Sequence, residues 1–585
     1  MTKRFWKILP AILFTMGIFG TGSFAGPQSL SFTKTPYLLR IQSTSLTIAW
    51  KTNVPARARV YVGRTTDYER ETLEISTERD SQQVDIARLW PGTVYHLKVT
   101  AFAGGEEIST GDWMVITASH PESTGEMAVF FTKSVDTTLA LYRPAKGNQE
   151  PYRALVERLN AAHYSIDFCA YSLSLTEISD ALIAAKNRGV HIRFIYDNGH
   201  HQSAVQDLRN AGIRVIDDAF GVLNDGRGLQ HNKFVIIDAR DTTSFSDDWV
   251  WTGSYNFTWQ ATSENAENAV LIQDESLAKI YTMEFNEMWG SVTDSPNADS
   301  ARFSWRKTDN TPHETNVNGM RVEAYFSPGD GVQEKIERAI ATASDNIEFA
   351  ILSFTRWGIR DALIDRFQQG VAVHGIFDRS EQGNAYSQYG KLKSAGVDVL
   401  YYGESGTLHH KYMIIDGHTH SDPQVETGSY NYSSSAENKN NENILILHSP
   451  VVADYFWQEF AARYHNSGGQ APLTTAVKES FPRSASPQNF FLREPFPNPV
   501  RLNDRQPVEI WLRVNRTLEQ NLSLSIFNLL GQRVYAFHGN FSHPGLYRLV
   551  WNRETFGSGH LSAGVYFVKA QSGRKIVTRK LTIIR

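Results

Sequence analysis

The feature that most constrains this 585-residue chain is that one pattern occurs twice. The runs Ser-Ile-Asp-Phe-Cys-Ala-Tyr-Ser at 165–172 and Val-His-Ile-Arg-Phe-Ile-Tyr-Asp at 190–197 reappear as Asn-Ile-Glu-Phe-Ala-Ile-Leu-Ser at 346–353 and Val-Ala-Val-His-Gly-Ile-Phe-Asp at 371–378. Between the members of each pair lies an amphipathic stretch closed by a glycine, 178–189 and 359–370. That order predicts strand, helix, helix-ending glycine and strand in both copies. A further pair, 210–215 and 394–399, keeps the register. Each copy spans about 170 residues, too long for a solenoid repeat. The expectation is a duplicated α/β lobe with a largely parallel or mixed sheet, the two copies packed about a pseudo-twofold axis.

Each copy ends in the same polar constellation. The first reads His231-Asn-Lys233-Phe-Val-Ile-Ile-Asp238, then Gly253-Ser254-Tyr-Asn256, then Glu267-Asn268. The second reads His409-His-Lys411-Tyr-Met-Ile-Ile-Asp416, then Gly428-Ser429-Tyr-Asn431, then Glu442-Asn443. On a strand, residues two apart share a face, so each His and Lys present an imidazole and an ammonium to the same side. Asp238 and Asp416 stand at odd separation from the His and are expected to be structural. If the axis brings the motifs face to face, two imidazoles, two ammonium groups and two Asn amides converge. Such a site can bind phosphate oxygens, attack phosphorus with one His and protonate the leaving oxygen with the other. Glu267 and Glu442 are suited to hold the His tautomers. No thiolate or carboxylate cluster has metal-ligand spacing, and a Lys two residues from each His repels a cation, so no metal or other cofactor is expected.

The rest of the chain is modular. Lys3, Arg4 and Lys7, an apolar run from Ile8 to about Phe19 and Ser23-Phe-Ala25-Gly26 follow the order of a secretory signal peptide over 1–25; an uncleaved anchor is the alternative. Residues 30–120 show short alternating segments and no helical period, as in an all-β domain. Lobes are expected at 125–295 and 315–470, with polar links at 296–320 and 466–490, and a second all-β domain at 485–585. The one cysteine, Cys169, excludes an intramolecular disulfide and reads as a core residue. His200, His201, His418 and His420 lack the repeated context and read as loop residues. Charge is uneven: residues 126–475 hold 29 Lys+Arg against 45 Asp+Glu, and residues 500–585 hold 13 against 4.

The paired His-x-Lys-x-x-x-x-Asp and Gly-Ser-x-Asn motifs resemble those of the phospholipase D superfamily at every motif position. The resemblance implies a metal-independent two-step reaction through a phosphohistidine. His231 would be the nucleophile and His409 the acid, with Lys233, Lys411, Asn256 and Asn431 on the phosphate. Trp50 and the run 89–95 ending in Tyr95 resemble a fibronectin type III β-sandwich. Glu494–Pro499, Ser525–Val534, Leu561–Phe567 and Arg579-Lys580 resemble the β-sandwich sorting domain of type IX secretion substrates, which implies export to the cell surface or beyond. The fold class expected is therefore duplicated α/β lobes flanked by all-β sandwiches.

Within the superfamily the expected activity is phospholipase D on phospholipid headgroups, with transient membrane contact, by a monomer. A metal-independent endonuclease is the alternative, disfavoured by the acidic middle segment because a nuclease groove is basic. Tyr255, Phe257, Trp259, Tyr430 and Tyr432 are read either as an apolar entry for lipid chains or as core. An inactive surface adhesin is the alternative of another class, disfavoured by two intact motifs.

Overall fold

A computed structural model describes residues 29–473, apart from 201, 202 and 420, and the segments 490–492, 495, 500–501, 508–514, 522–537, 541, 545–551, 563–573 and 575–584. The expected signal peptide, His201, His420, most of the 466–490 link and the 494 and 496–499 portion of the sorting-domain motif lie outside the described residues. The chain divides into two compact units, one reaching Ala476 and one holding Val477–Arg585 with Thr419–Ser421.

The first unit opens on an antiparallel sheet. Its long strand Ser45–Gly63 changes partners along its length. The first half pairs with Phe32–Ile41 and the second with Val94–Ala103. The hinge is a register shift between Lys51 and Ala56 opposite Glu71–Ala87. Trp50 is buried in the core of this sheet. The Tyr95 hydroxyl accepts the Trp90 N–H at 2.9 Å and so ties the entry of its strand.

The two lobes repeat one topology. In the first, the strands run side by side in the order Arg214–Asp217, His191–Tyr196, Ser165–Ala170, Phe234–Ile237, Trp249–Gly253, Asn268–Gln273, Met127–Phe131. In the second the matching order is Asp398–Tyr401, Ala372–Phe377, Asn346–Ile351, Lys411–Ile415, Gln424–Gly428, Glu442–His448, Met320–Ser327, with Glu314–Val317 added at the edge. The first three strands of each are parallel and the rest antiparallel, so both sheets are mixed. Helices Pro151–Ala161, Thr176–Asn187 and Ser203–Asn210 supply apolar residues to one core, and Val332–Ala341, Trp357–Gln368 and Tyr389–Ser394 to its counterpart. A third core takes residues from both sheets and from helices Glu275–Trp289 and Pro450–Asn466, joining the lobes as one body.

The structure departs from the sequence reading at 296–320. Ala301 and Phe303 enter the shared core, Lys307 is buried against Glu284, and Glu314–Val317 is a strand. A stretch short of apolar residues packs here because Ala301, Phe303 and Val317 point inward, while Trp305 stays exposed. In the second unit, strands Phe490–Leu492, Val508–Val514 and Gly545–Trp551 form one sheet. Val500–Arg501, Lys575–Ile584, Gly564–Ser572, Ser523–Asn528 and Arg533–Phe537 form another. Ile510, Leu512 and Trp551 of the first share a core with Leu524, Ile526 and Val568 of the second.

Candidate active site

Each His-x-Lys segment runs extended into the strand that begins at Phe234 or Lys411. Its apolar residues, 234–237 and 412–415, are buried in the sheet and fix the polar head of the segment. Asp238 and Asp416 end these strands in the left-handed region, at φ 61° and 53°. There the Asp238 carboxylate accepts the backbone N–H groups of His163, Tyr164 and Ser165 at 2.7–3.1 Å. Asp416 does the same for Ser344, Asp345 and Asn346. The two Asp side chains thus clamp the motif strand to the start of the neighbouring strand.

The lobes bring the two motifs together, and the histidines are held crosswise. His231 Nδ1 lies 2.7 Å from Glu442 Oε2 of the other lobe. His409 Nδ1 lies 2.9 Å from Glu267 Oε2 and 2.8 Å from Oε1. Ser429 and Ser254 donate to the same two carboxylates at 2.7 Å each. A carboxylate at Nδ1 requires the proton on that nitrogen, which leaves Nε2 with a lone pair in both rings. Lys233 and Lys411 curl back to donate to the carbonyl of their own motif His, at 2.6 and 2.7 Å. Gly253 and Gly428 are required sterically: a Cβ there would meet the carbonyl oxygen of Asn268 or Asn443 at 2.5 or 2.1 Å.

Burial governs the electrostatics. It pulls His231 down to about 4, and the neighbouring Glu442 only partly offsets this. His409 is lowered for the same reason. Burial brings Lys233 to about 7 and Lys411 to about 8. The imidazoles are therefore neutral at pH 7, and the ammonium groups are poised to take full charge beside an arriving anion. Asn256 Oδ1 and Asn431 Oδ1 are buried with no protein partner, at matching places in the two copies. A buried orphan acceptor is costly, and a polar ligand would relieve both.

Several residues of the site escaped the sequence reading. Asp197 and Asp378, which close the repeated 190–197 and 371–378 runs, accept the backbone N–H just ahead of each motif, from Gln230 at 2.9 Å and Leu408 at 2.8 Å. Their repetition was the available signal. Asn443 donates to Asn232 across the interface at 2.8 Å, and Asn268 meets His410 Nδ1 at 3.0 Å. Tyr171 packs its ring against His231, 4.8 Å between centroids.

Other expectations resolve one way or differ. Tyr255, Phe257, Tyr430 and Tyr432 are fully buried core residues, and only Trp259 of that group is exposed. His418 lies in a turn after its strand, as expected, but it is buried there, 2.9 Å from Asp454 and stacked on Trp457. Cys169 is buried, and burial raises its thiol well above the usual range. Asp309, His313 and Asp330 bring possible ligand atoms within 4.8 Å of one another, a grouping hidden in sequence by the distance to Asp330. There His313 pairs with Asp309 at 3.0 Å. Among the described residues no helix is long and apolar enough to cross a membrane.

The family model described as "Cardiolipin synthase, PLD-like domain" matches residues 155–289 and 336–464, one match in each lobe. A secretion system C-terminal sorting domain matches residues 495–584. A phospholipase D of Rickettsia bellii is 30% identical over 152 residues, 26% of this chain and 73% of that protein. A mitochondrial cardiolipin hydrolase of Xenopus tropicalis is 30% identical over 149 residues, 25% of this chain and 64% of that protein. Nuc, a phospholipase D family member of Salmonella typhimurium, is 27% identical with a TM-score of 0.23, covering 25% of this chain and 94% of that structure. The chain thus belongs to the phospholipase D superfamily and carries a type IX sorting tail, which supports a secreted or cell-surface location.

Proposed function

We propose that this protein is an exported phospholipase D that hydrolyses phospholipid headgroups through a phosphohistidine. The observation that carries the reading is the crossed His–Glu pairing, which gives two imidazoles with free Nε2 atoms beside two buried lysines. His231 Nε2 attacks phosphorus and the bond to the leaving oxygen breaks. His409, which takes up a proton from solvent at Nε2 as the phosphate binds, gives that proton to the leaving oxygen. His409 then takes a proton from water, the water oxygen attacks phosphorus, and the P–N bond breaks to free His231. Burial holds His231 well below the ordinary imidazole range, which suits a neutral nucleophile. The slightly more open His409, at 12% side-chain exposure against 8%, is the one an incoming phosphate can help to protonate. Lys233, Lys411, Asn256 and Asn431 hold the phosphate oxygens.

Lipid is preferred to nucleic acid because the segment bearing the site has a surplus of acidic residues, 45 against 29 basic. The names of the curated relatives, phospholipase D and cardiolipin hydrolase, point the same way. Residues 1–25 serve as the Sec signal, residues 30–120 and 485–585 form sandwich domains that precede and follow the two lobes in the chain, and the enzyme acts as a monomer. The test is choline release from phosphatidylcholine in EDTA by the whole chain, beside single-stranded and duplex DNA. Release that disappears in His231→Ala is the expected result; DNA cleavage without lipid turnover would overturn the lipid assignment.

A further inference from the structure

The two sides of the active site differ in their rims. The first motif is preceded by the long segment between Arg214–Asp217 and the strand at Phe234; the second by the shorter segment between Asp398–Tyr401 and Lys411. The long segment exposes Val222 (71%), Leu223 and Leu229. It is fastened to residues 298–306, with Val222 N–H donating to Ala298 O at 3.0 Å and Asn224 Nδ2 to Ala301 O at 3.1 Å. That second strip exposes Trp305 (55%), with the Arg306 guanidinium 3.7 Å from the ring centroid. Both strips meet at Asn441, which donates to Leu229 O at 2.8 Å, accepts from Ser304 N–H at 2.7 Å, and takes the His231 N–H on its own carbonyl at 3.0 Å. Asn441 thereby ties both strips to the backbone of the motif. Across the site, the corresponding short segment carries Glu404, Ser405 and Thr407 instead.

The charge on this rim opposes that of the lobes around it. Residues 221–229, 298–306 and 439–441 hold Arg227, Arg302, Arg306 and Lys439 against Asp225, which pairs with Arg227 at 3.4 Å, and Asp299, a net positive strip. Exposed aliphatic side chains, a tryptophan and flanking arginines are the combination that settles at the boundary between lipid headgroups and acyl chains.

We propose that this rim is a docking surface for an anionic phospholipid bilayer, seating the enzyme so that a headgroup enters from the His231 side. The inference rests on the phospholipase D reading and names the face that meets the membrane. The test uses the whole chain with a Val222→Ser/Trp305→Ser double substitution, and separately Arg227→Glu/Arg306→Glu; none of these side chains belongs to the catalytic set. Binding is measured by co-sedimentation with phosphatidylcholine vesicles containing phosphatidylglycerol, in a His231→Ala background that cannot consume the lipid. Turnover is measured in the active background on the same vesicles and on a soluble phosphodiester. The expected result is that both rim variants lose vesicle binding and vesicle turnover by roughly tenfold or more, with soluble turnover unchanged. Unchanged vesicle binding, or a loss confined to single-stranded DNA binding, would overturn the docking surface. Vesicle binding that depends on the rim in a chain that hydrolyses no lipid keeps the docking surface and removes the lipase reading. Lipid hydrolysis indifferent to the rim does the reverse.

Discussion

The first lobe and the second have the same strand order, the same clamp at Asp238 or Asp416 and the same Glu at the interface, yet their motifs do not sit in the same surroundings. Tyr171 covers His231 and lies under Lys233 at 5.0 Å, where Leu352 holds the corresponding place in the second copy. Beside the motif histidines, Asn232 in the first copy corresponds to His410 in the second, the one bonded to Asn443 and the other to Asn268. His410 carries its contact onward, with Nε2 3.0 Å from Glu459 Oε1. The backbone scheme is shared because it is needed to build a site at all. The packing around each imidazole is free to differ, and under the proposed mechanism that difference is where distinct roles for the two rings would arise.

The largest effects should come from the histidines. His231→Ala and His409→Ala are each expected to lower kcat on a choline ester by roughly 10²- to 10⁴-fold. The two should part company on a p-nitrophenyl ester, whose leaving group needs no proton. There His409→Ala should still accumulate a phosphorylated protein, trapped at alkaline pH, and His231→Ala should not. A labelled His231→Ala protein would reverse the assignment of roles.

Next come the clamps. Asp238→Ala and Asp416→Ala each strand several backbone N–H groups, at a cost of about 3 kcal/mol in folding free energy measured by urea unfolding. Equal costs would affirm the equivalence of the lobes, and a much smaller cost in one would break it. The crossed carboxylates should matter somewhat less. Glu442→Gln and Glu267→Gln should each lower kcat by about 10- to 100-fold while leaving the fold intact. The Glu442 change should remove formation of the phosphorylated protein because it acts on His231 in the other lobe.

The lysines offer a finer discrimination. Burial depresses both, so in the free enzyme charge is lost as pH rises through about 7 for Lys233 and about 8 for Lys411. KM should therefore rise in two stages above neutrality, by a few-fold overall. Lys233→Arg, which keeps its charge, should abolish the lower stage alone. The smallest effect is expected from Tyr171→Leu, which copies the second lobe into the first. It should raise the acid limb of the kcat/KM profile from near pH 4 towards the ordinary imidazole value, with roughly threefold change in rate at neutrality.

The duplicated lobes, their strand order within each repeated run and the membership of the superfamily were legible in the sequence. Alternation, helix-ending glycines and the doubled His-x-Lys pattern are local signals. The crossing of Glu267 and Glu442 was not, because which lobe a carboxylate reaches is decided by the packing of the shared core. Nor could sequence separate Tyr255 and Tyr430, which are buried, from Trp259, which is exposed: all are aromatic and follow the same Gly-Ser. The strand at 314–317 was hidden by its polar composition, since an edge strand needs few apolar side chains. His418 is a turn residue, and its burial was hidden because its partner Asp454 lies on a helix distant in sequence.

The crossed pairing also has a bearing on heredity. Neither half of the gene encodes a histidine together with the carboxylate that steadies it, so a lesion in one half is felt at the reacting ring of the other. The halves can drift apart in their linings, as Tyr171 and Leu352 show, but Glu267 and Glu442 are bound to a common fate. Two separately expressed halves should therefore each be inert and should recover turnover only when they find one another.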